Sequence, residues 1–297
     1  MTDIIHLNHE PEESLISRMR SEFHAGLVAS GTLSVSDEGV ASISDKGNNL
    51  SKYVGAAIAK ALSVRTEGER AAGQTLGSSF EVATTEFVKR TFPHFTMLRP
   101  GNWTVQKIGN NRRSAIAEFE PYQHLEALAE AIKRDPALLA VLGNAYAIGP
   151  DIVVSRQPES DQFINGSGSL VDDRTALKTA IRSRNQKRPI LHAVISCKWT
   201  LRSDRAQNAR SEALNLIRNR KGRLPHIMVV TAEPTPSRLS SIALGTGDID
   251  CVYHIALPEL QDAMKEHGND DNVDSLNTMI EGRRLKDISD LPLDLAI

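Results

Sequence analysis

Residues 190–215 read "ILHAVISCKWTLRSDRAQNARSEALN". The apolar opening predicts a buried strand over 190–198, because a short run rich in β-branched residues has strand length and lacks helical spacing. The "RSDR" tetrapeptide then introduces a helix predicted over 204–221. Alternation along the strand puts Ser196 and Lys198 on one face and Cys197 on the other. Lys198 therefore projects from the end of the sheet rather than into the core. On the helix, Arg205, Asn208 and Glu212 share one face. A strand that delivers a lysine to a helix carrying a lone glutamate is the element from which the fold can be read.

Downstream the pattern repeats. Strands are predicted over 226–232 ("HIMVVTA") and 250–256 ("DCVYHIA"), with helices over 236–245 and 258–267. Upstream, "AYAIGPDIVVS" (145–155) reads as an element of a strand pair or as a strand kinked at Gly149-Pro150. Strand–helix alternation predicts an α/β fold with a mixed central sheet flanked by helices. In the N-terminal half, helical spacing predicts helices over 10–30, 50–64 and 75–92. A weak alternation suggests a hairpin within 31–49, and strands are expected within 103–120 ("NWTVQKIG", "SAIAEFE"). A helical hairpin broken at Pro136 is expected over 122–142. The polar, Gly/Ser-rich stretch 157–173 reads as a surface excursion. No repeat and no long linker is visible, so one domain over 1–297 is expected, with 145–257 as its working core.

The 297 residues include 40% hydrophobic and 24% charged side chains, as expected of a globular protein with a sizeable core. Cys197 and Cys251 are the two cysteines, which suggests no disulfide framework and points to a reducing cytoplasm. The start, "MTDIIHLNHEPEES", lacks the pattern of a secretory leader. No apolar run of about 18 residues predicts a membrane span. Net charge is −2, but it is unevenly spread. Between Lys178 and Arg223 stand 13 Lys or Arg against Asp204 and Glu212 alone, a local +11 that leaves −13 for the rest. Such a block reads as an electrostatic footprint for a polyanion, or as a solvated basic face.

If the strands at 151–155 and 190–198 are neighbours, Asp151, Ser196, Lys198 and Glu212 converge. Two carboxylates and a lysine suit metal-assisted phosphodiester hydrolysis. The carboxylates hold Mg²⁺, the metal polarises phosphate and activates water, and the lysine positions that water and offsets charge. Beside them, Arg202, Asp204 and Arg205 suit a G·C-rich site read in the major groove, since arginine pairs with guanine O6/N7 and aspartate accepts from cytosine N4. The plainer alternative is a helix capped by Ser203 or Asp204, with its arginines paired locally. Other signals are bland. "CVYH" (251–254) lacks the second ligand pair of a zinc site and fits a core strand better. "HLNHE" (6–10), "GTGD" (245–248) and "NGSG" (165–168) carry no chemistry beyond turns.

The stretch 196–254 and the terminal "LKDISDLPLDLA" closely resemble the NgoMIV-type group of type II restriction endonucleases, which share a CCGG core in their sites and belong to the PD-(D/E)xK nucleases. The likeness is densest over 145–257 and at the C-terminus. The group's variant active-site pattern falls on Pro150-Asp151, on Ser196-Cys197-Lys198, and on Glu212 after 13 intervening residues. Ser196 stands where the wider superfamily has an acid, and the resemblance assigns Glu212 to supply it. It implies Mg²⁺, two ions per active site, held by Asp151, Glu212 and the main-chain carbonyl of Cys197, with Lys198 serving the attacking water. Glu81 ("SSFE") matches a further acid near the site. Arg202, Asp204 and Arg205 match the residues that read the CCGG core, while Asp45, Gln74 and Arg238 match flanking contacts. The implied reaction is cleavage of double-stranded DNA at a palindrome, GCCGGC cut after the first G, leaving four-base 5′ overhangs and 5′-phosphates. A palindrome implies a homodimer, and the resemblance extends this to a homotetramer in a prokaryotic cytoplasm, with a companion methyltransferase protecting the host genome. Two competing classes are a sequence-specific regulator that binds without cutting, and a repair-type nuclease of low specificity.

Overall fold

A computed structural model of the chain describes residues 13–64, 73–108, 115–135, 137–138, 148–245 and 247–297. The apolar run of the opening stretch is strand β3 (Ile190–Lys198), buried from Leu191 through Cys197 and so buried on both faces. That is what a central strand flanked by helices requires. It lies third in a six-stranded sheet. The other strands are β1 (Trp103–Lys107), β2 (Ile152–Arg156), β4 (His226–Thr231), β5 (Cys251–His254) and β6 (Leu285–Asp287), and their spatial order follows the chain. β1, β2 and β3 run antiparallel to one another, whereas β3 through β6 are parallel. The sheet is therefore mixed, as its strand–helix alternation predicts.

Ten α-helices are named here: α1 (Leu15–Ala29), α2 (Asn49–Ala61), α3 (Gly73–Thr91), α4 (His124–Arg134), α5 (Asp161–Asn165), α6 (Ser203–Asn219), α7 (Pro236–Ala243), α8 (Leu257–His267), α9 (Asp270–Glu281) and α10 (Leu291–Asp294). α6 turns Ala206, Ala209, Ala213 and Leu216 inward. Three alanines among these four let it lie close against the sheet, on the face that carries Val194 and Ser196. The opposite face meets α3, where Phe80 packs edge-on against Trp199 with ring centroids 5.0 Å apart.

Differences from the sequence expectations have local causes. "SAIAEFE" holds no strand: Ala115–Glu118 is a 3₁₀ turn whose Ala115, Ile116 and Ala117 are all buried. The segment docks at the entry to β3, where the Glu120 amide donates to the Pro189 carbonyl at 3.0 Å. The strand expected from 145 begins at Ile152, past Pro150, which has no N–H to give a ladder. Residues 145–147, most of the second arm of the hairpin at Pro136, Pro136 itself and "HLNHE" lie outside the described residues. The 31–49 hairpin is reduced to one bridge, Val35 with Ala41. The excursion 157–173 holds the short helix α5.

The basic block is less bare than its letters suggest. Arg182 is 1% exposed and donates to both oxygens of Asp161, at 2.7 and 2.6 Å. Arg184 pairs with Asp173, Arg188 with Glu126 and Arg210 with Asp248, all acids outside the block. The +11 footprint is thus partly neutralised by the fold. "CVYH" is core strand, as expected, with His254 fully buried and its pKa pushed down to about 4 by burial. No helix among the described residues is long and apolar enough to cross a membrane.

Candidate active site and nucleic-acid interface

Asp151 immediately precedes β2, and the antiparallel register sets Ile152 opposite Ile195. Ladder pairing with β2 stops there, so β3 runs on past its neighbour. The edge of Ser196–Lys198 is left to Asp151, which is 3% exposed. The Cys197 amide donates to Asp151 Oδ2 at 2.8 Å, and Lys198 Nζ donates to the same oxygen at 3.2 Å. From the helix side, Glu212 Oε2 lies 3.4 Å from Ser196 Oγ and 3.8 Å from Lys198 Nζ. Ser196 Oγ also sits 3.4 Å from Asp151 Oδ2. The four residues singled out by spacing therefore meet around one point. They do so because β3 overruns β2 and α6 folds back over the same face.

The electrostatics of the cluster follow from that burial. Burial alone would lower the pKa of Lys198, but the Asp151 and Glu212 carboxylates outweigh it and the net direction is upward, so the ammonium form is favoured. Burial raises the Glu212 carboxyl, the nearby Asp151 adds to this, and Lys198 opposes it. Burial also pushes up the Cys197 thiol, which makes the sulfur a poor anionic ligand. Its main chain is better placed. In a strand the N–H and C=O of one residue share an edge, and the Cys197 N–H already points at Asp151.

Among the described residues no group of three His, Cys, Asp or Glu side chains is close enough to share a metal ion. The donors present are two carboxylates and one main-chain carbonyl, a hard oxygen set that fits Mg²⁺ better than a thiophilic metal. Asp151 Oδ2 and Glu212 Oε2 take the contacts given above. Asp151 Oδ1 and Glu212 Oε1 accept no hydrogen bond among the described residues.

Glu81 approaches this cluster from the other face of β3, within electrostatic range of the Cys197 thiol. It projects from α3 on the Cys197 side of β3 and pairs with Lys107 of β1 at 2.9 Å. The next polar group begins one turn beyond Lys198. Arg202 is the N-cap residue of α6 and no side chain caps the helix, so neither Ser203 nor Asp204 does the capping that an ordinary helix start would use. Arg202 and Asp204 are exposed, and the half-buried Arg205 donates to Thr200 Oγ1 at 3.1 Å. Arg238, at the start of α7, forms an ion pair with Asp45, 193 residues away in the chain. Arg202 lies within electrostatic range of Asp45, and these cations hold the Asp45 carboxyl below its ordinary range, with the Arg238 hydrogen bond the largest cause. Gln74 falls in the first turn of α3, where side chains lie outside the described residues. The structure also contains a participant that the sequence analysis missed. Glu233, in "TAEPTP", is fully buried beneath Arg238. In sequence it is one polar letter in a proline-rich loop, with no signal of burial.

Comparison with known proteins bears on this geometry directly. Residues 23–297 match the family described as NgoMIV restriction enzyme. Over 283 residues the chain is 51% identical to the type II restriction enzyme NgoMIV of Neisseria gonorrhoeae, covering 95% of this chain and 99% of that one. With nearly the whole chain covered, at an identity that preserves both fold and family, the chain belongs to the NgoMIV family of type II restriction enzymes.

Proposed function

We propose that the chain hydrolyses phosphodiester bonds of double-stranded DNA at a palindrome with a CCGG core, GCCGGC cut after the first G, leaving four-base 5′ overhangs with 5′-phosphates. The observation that carries this reading is the meeting of Asp151, Ser196, Lys198 and Glu212 one turn ahead of Arg202, Asp204 and Arg205. In it, Asp151, Glu212 and the Cys197 carbonyl hold Mg²⁺, with two ions per site. Mg²⁺ bound there supplies Lewis-acid polarisation of the phosphate and a water of lowered pKa. Lys198, favoured as the ammonium, orients the attacking water and stabilises negative charge gathering on the phosphate oxygens. Ser196 sets its hydroxyl 3.4 Å from each carboxylate, so that it donates to one or the other. Glu81 tunes the site from the far side of β3 by holding Lys107.

For recognition, Arg202 and Arg205 donate to guanine O6/N7 and Asp204 accepts from cytosine N4 in the core. Arg238, Asp45 and Gln74 contact the flanking pairs. A palindromic site calls for a twofold-symmetric homodimer, and two such dimers back to back make the homotetramer. The partner chemistry is DNA, with a companion methyltransferase modifying the host's own sites, and the setting is a prokaryotic cytoplasm. The chain is read as one domain over 1–297.

The test is to incubate the purified protein with plasmid and Mg²⁺ and sequence the ends, with Lys198→Ala as control. Uniform ends within one hexamer support the proposal. Binding without cutting by the unmodified protein would indicate a regulator, and scattered ends a repair-type nuclease.

A further inference from the structure

Glu233 has no exposed surface, yet every group its carboxylate touches lies on, or next to, a segment that carries a surface residue of the interface. Its Oε2 accepts from the Leu201 amide at 2.8 Å, at the turn between β3 and α6 just before Arg202. Its Oε1 accepts from the Thr235 amide at 3.1 Å and from the Thr235 hydroxyl, at the N-cap of α7 just before Arg238. Arg238 Nη1 lies 3.7 Å from Oε2, while Nη2 of the same guanidinium holds Asp45. One carboxylate thus ties together the turn bearing Arg202, the helix start bearing Arg238 and, through Arg238, the loop bearing Asp45.

An ionisable group with no exposed surface is costly to bury and is expected to be paired and hydrogen-bonded. Burial raises the Glu233 carboxyl, and the Thr235, Leu201 and Arg238 contacts oppose that. A leucine there would fill the space without holding any of the three arms. α6 is held independently by Ala206, Ala209, Ala213 and Leu216 against the sheet, so its tip keeps its place without Glu233. α7 is likewise seated by buried Pro236, Leu239, Ile242 and Ala243, but the polar groups at its start go to Glu233: Thr235 makes no side-chain cap, and its hydroxyl and amide both point to that carboxylate. The Arg238 guanidinium is thus aimed by the Glu233 and Asp45 carboxylates, whereas Asp204 and Arg205 stand on α6 and have no contact with Glu233.

We propose that Glu233 is a positioning residue for sequence recognition. It sets Arg238 and Asp45 in register with the tip of α6, so that discrimination at base pairs flanking those under α6 depends on it. This rests on the functional reading above and goes beyond it by giving a buried, non-contacting acid control over one part of the specificity. Removing the carboxylate frees the Arg238 arm to swing relative to α6, and a misplaced guanidinium loses its bidentate geometry to guanine.

The experiment uses the full chain and its Glu233→Gln and Glu233→Ala variants. Cleavage with Mg²⁺ is measured on three duplexes: the preferred hexamer, one with its outer pair changed, and one with a core pair changed. Melting temperature and hydrogen exchange are followed in parallel. The expected result is that the preference for the intact outer pair falls about tenfold or more in Glu233→Ala, and by less in Glu233→Gln, which retains one acceptor. Preference for the intact core should be kept, and exchange should quicken at the Leu201 and Thr235 amides, the two that Glu233 accepts from. If the alanine variant does not fold, the glutamine variant alone decides the matter. Unchanged outer-pair preference, or equal loss at outer and core pairs in step with a fall in melting temperature, overturns the proposal. Absence of any sequence preference in the unmodified protein overturns the functional reading and takes this proposal with it, whereas intact preference in both variants overturns this proposal alone.

Discussion

The Cys197 amide donates to Asp151 Oδ2 at 2.8 Å, so the main chain of the strand that presents Lys198 also fixes the carboxylate that Lys198 faces. Because β2 pairing ends at Ile152 opposite Ile195, that amide has no ladder partner on its edge, and Asp151 takes the vacant place. Lys198 and Asp151 are thus held by one piece of backbone, with 3.2 Å between Nζ and Oδ2.

This makes Lys198 a clean probe. Lys198→Ala is expected to lower the cleavage rate by about 10²–10³-fold or more, the scale of removing one group that stabilises transition-state charge. DNA binding measured by gel shift in Ca²⁺ should survive, because Arg202, Asp204 and Arg205 stand on a separate helix. Loss of binding together with cleavage would show that Lys198 supports the interface rather than the chemistry.

Divalent metal should report on the two carboxylates without any DNA. Mg²⁺ that binds the folded chain alone stabilises it by mass action, by about 2.7 kcal/mol when the free ion is near 100 times its dissociation constant. Titrating Mg²⁺ into metal-stripped protein should raise the melting temperature of the unmodified chain. Glu212→Gln should shrink that rise, since the amide removes one of two anionic donors facing Lys198. Equal rises in both would place the metal elsewhere.

Asp204 separates recognition from stability. Its side chain is exposed and does not cap α6. Asp204→Ala should therefore leave the melting temperature nearly unchanged, within about 0.5 kcal/mol for a surface change. Discrimination at the base pair it reads should fall by about 1–3 kcal/mol. Competition cleavage of matched and single-mismatch duplexes measures the second quantity and differential scanning calorimetry the first.

How far these features were legible in the sequence depends on how local they are. β3 and α6 could be read almost to the residue, because a both-sides-buried strand and an alanine-lined helix write their burial into the letters. The Asp151, Lys198 and Glu212 cluster followed once two strands were assumed adjacent. "SAIAEFE" misled because a fully buried 3₁₀ turn and a strand have the same apolar composition. β6 and α9 went unread because three residues carry too little period for a strand, and α9 buries only Leu276 and Met279. Charge pairing was the least legible. The partners of Arg182 and Arg188 lie 21 and 62 residues away, so the basic block could not be discounted by counting. Glu233 escaped for the same reason: burial of a single acid is a tertiary fact.

The C-terminal part of the fold contains its own test of stability, remote from the site. Arg20 of α1 donates to both oxygens of Glu259 at 2.9 and 2.6 Å and to both of Asp287 at 2.9 and 3.0 Å. Asp287 also accepts from the Leu257 amide at 3.0 Å, so the guanidinium joins α1 to α8 and β6. Burial would raise the pKa of both carboxyls, but Arg20, aided by Ser289 at Asp287 and by a main-chain amide at Glu259, outweighs it and both end below their ordinary values. A depressed carboxyl pKa contributes stability that is present above the unfolded-state value and is lost as pH falls through the folded one. Arg20→Ala leaves two largely buried acids facing each other and should cost about 3 kcal/mol at pH 7, toward the lower end for a broken buried pair because the side chains keep some solvent. Arg20→Lys should recover part of this, since an ammonium supplies charge without the planar fork. The difference between the unmodified chain and Arg20→Ala should narrow steadily as pH is lowered below the ordinary carboxylate range. Urea unfolding at pH 7 and in that acidic range measures it, and a difference independent of pH would mean that Arg20 acts by packing its methylene stem rather than by its charge.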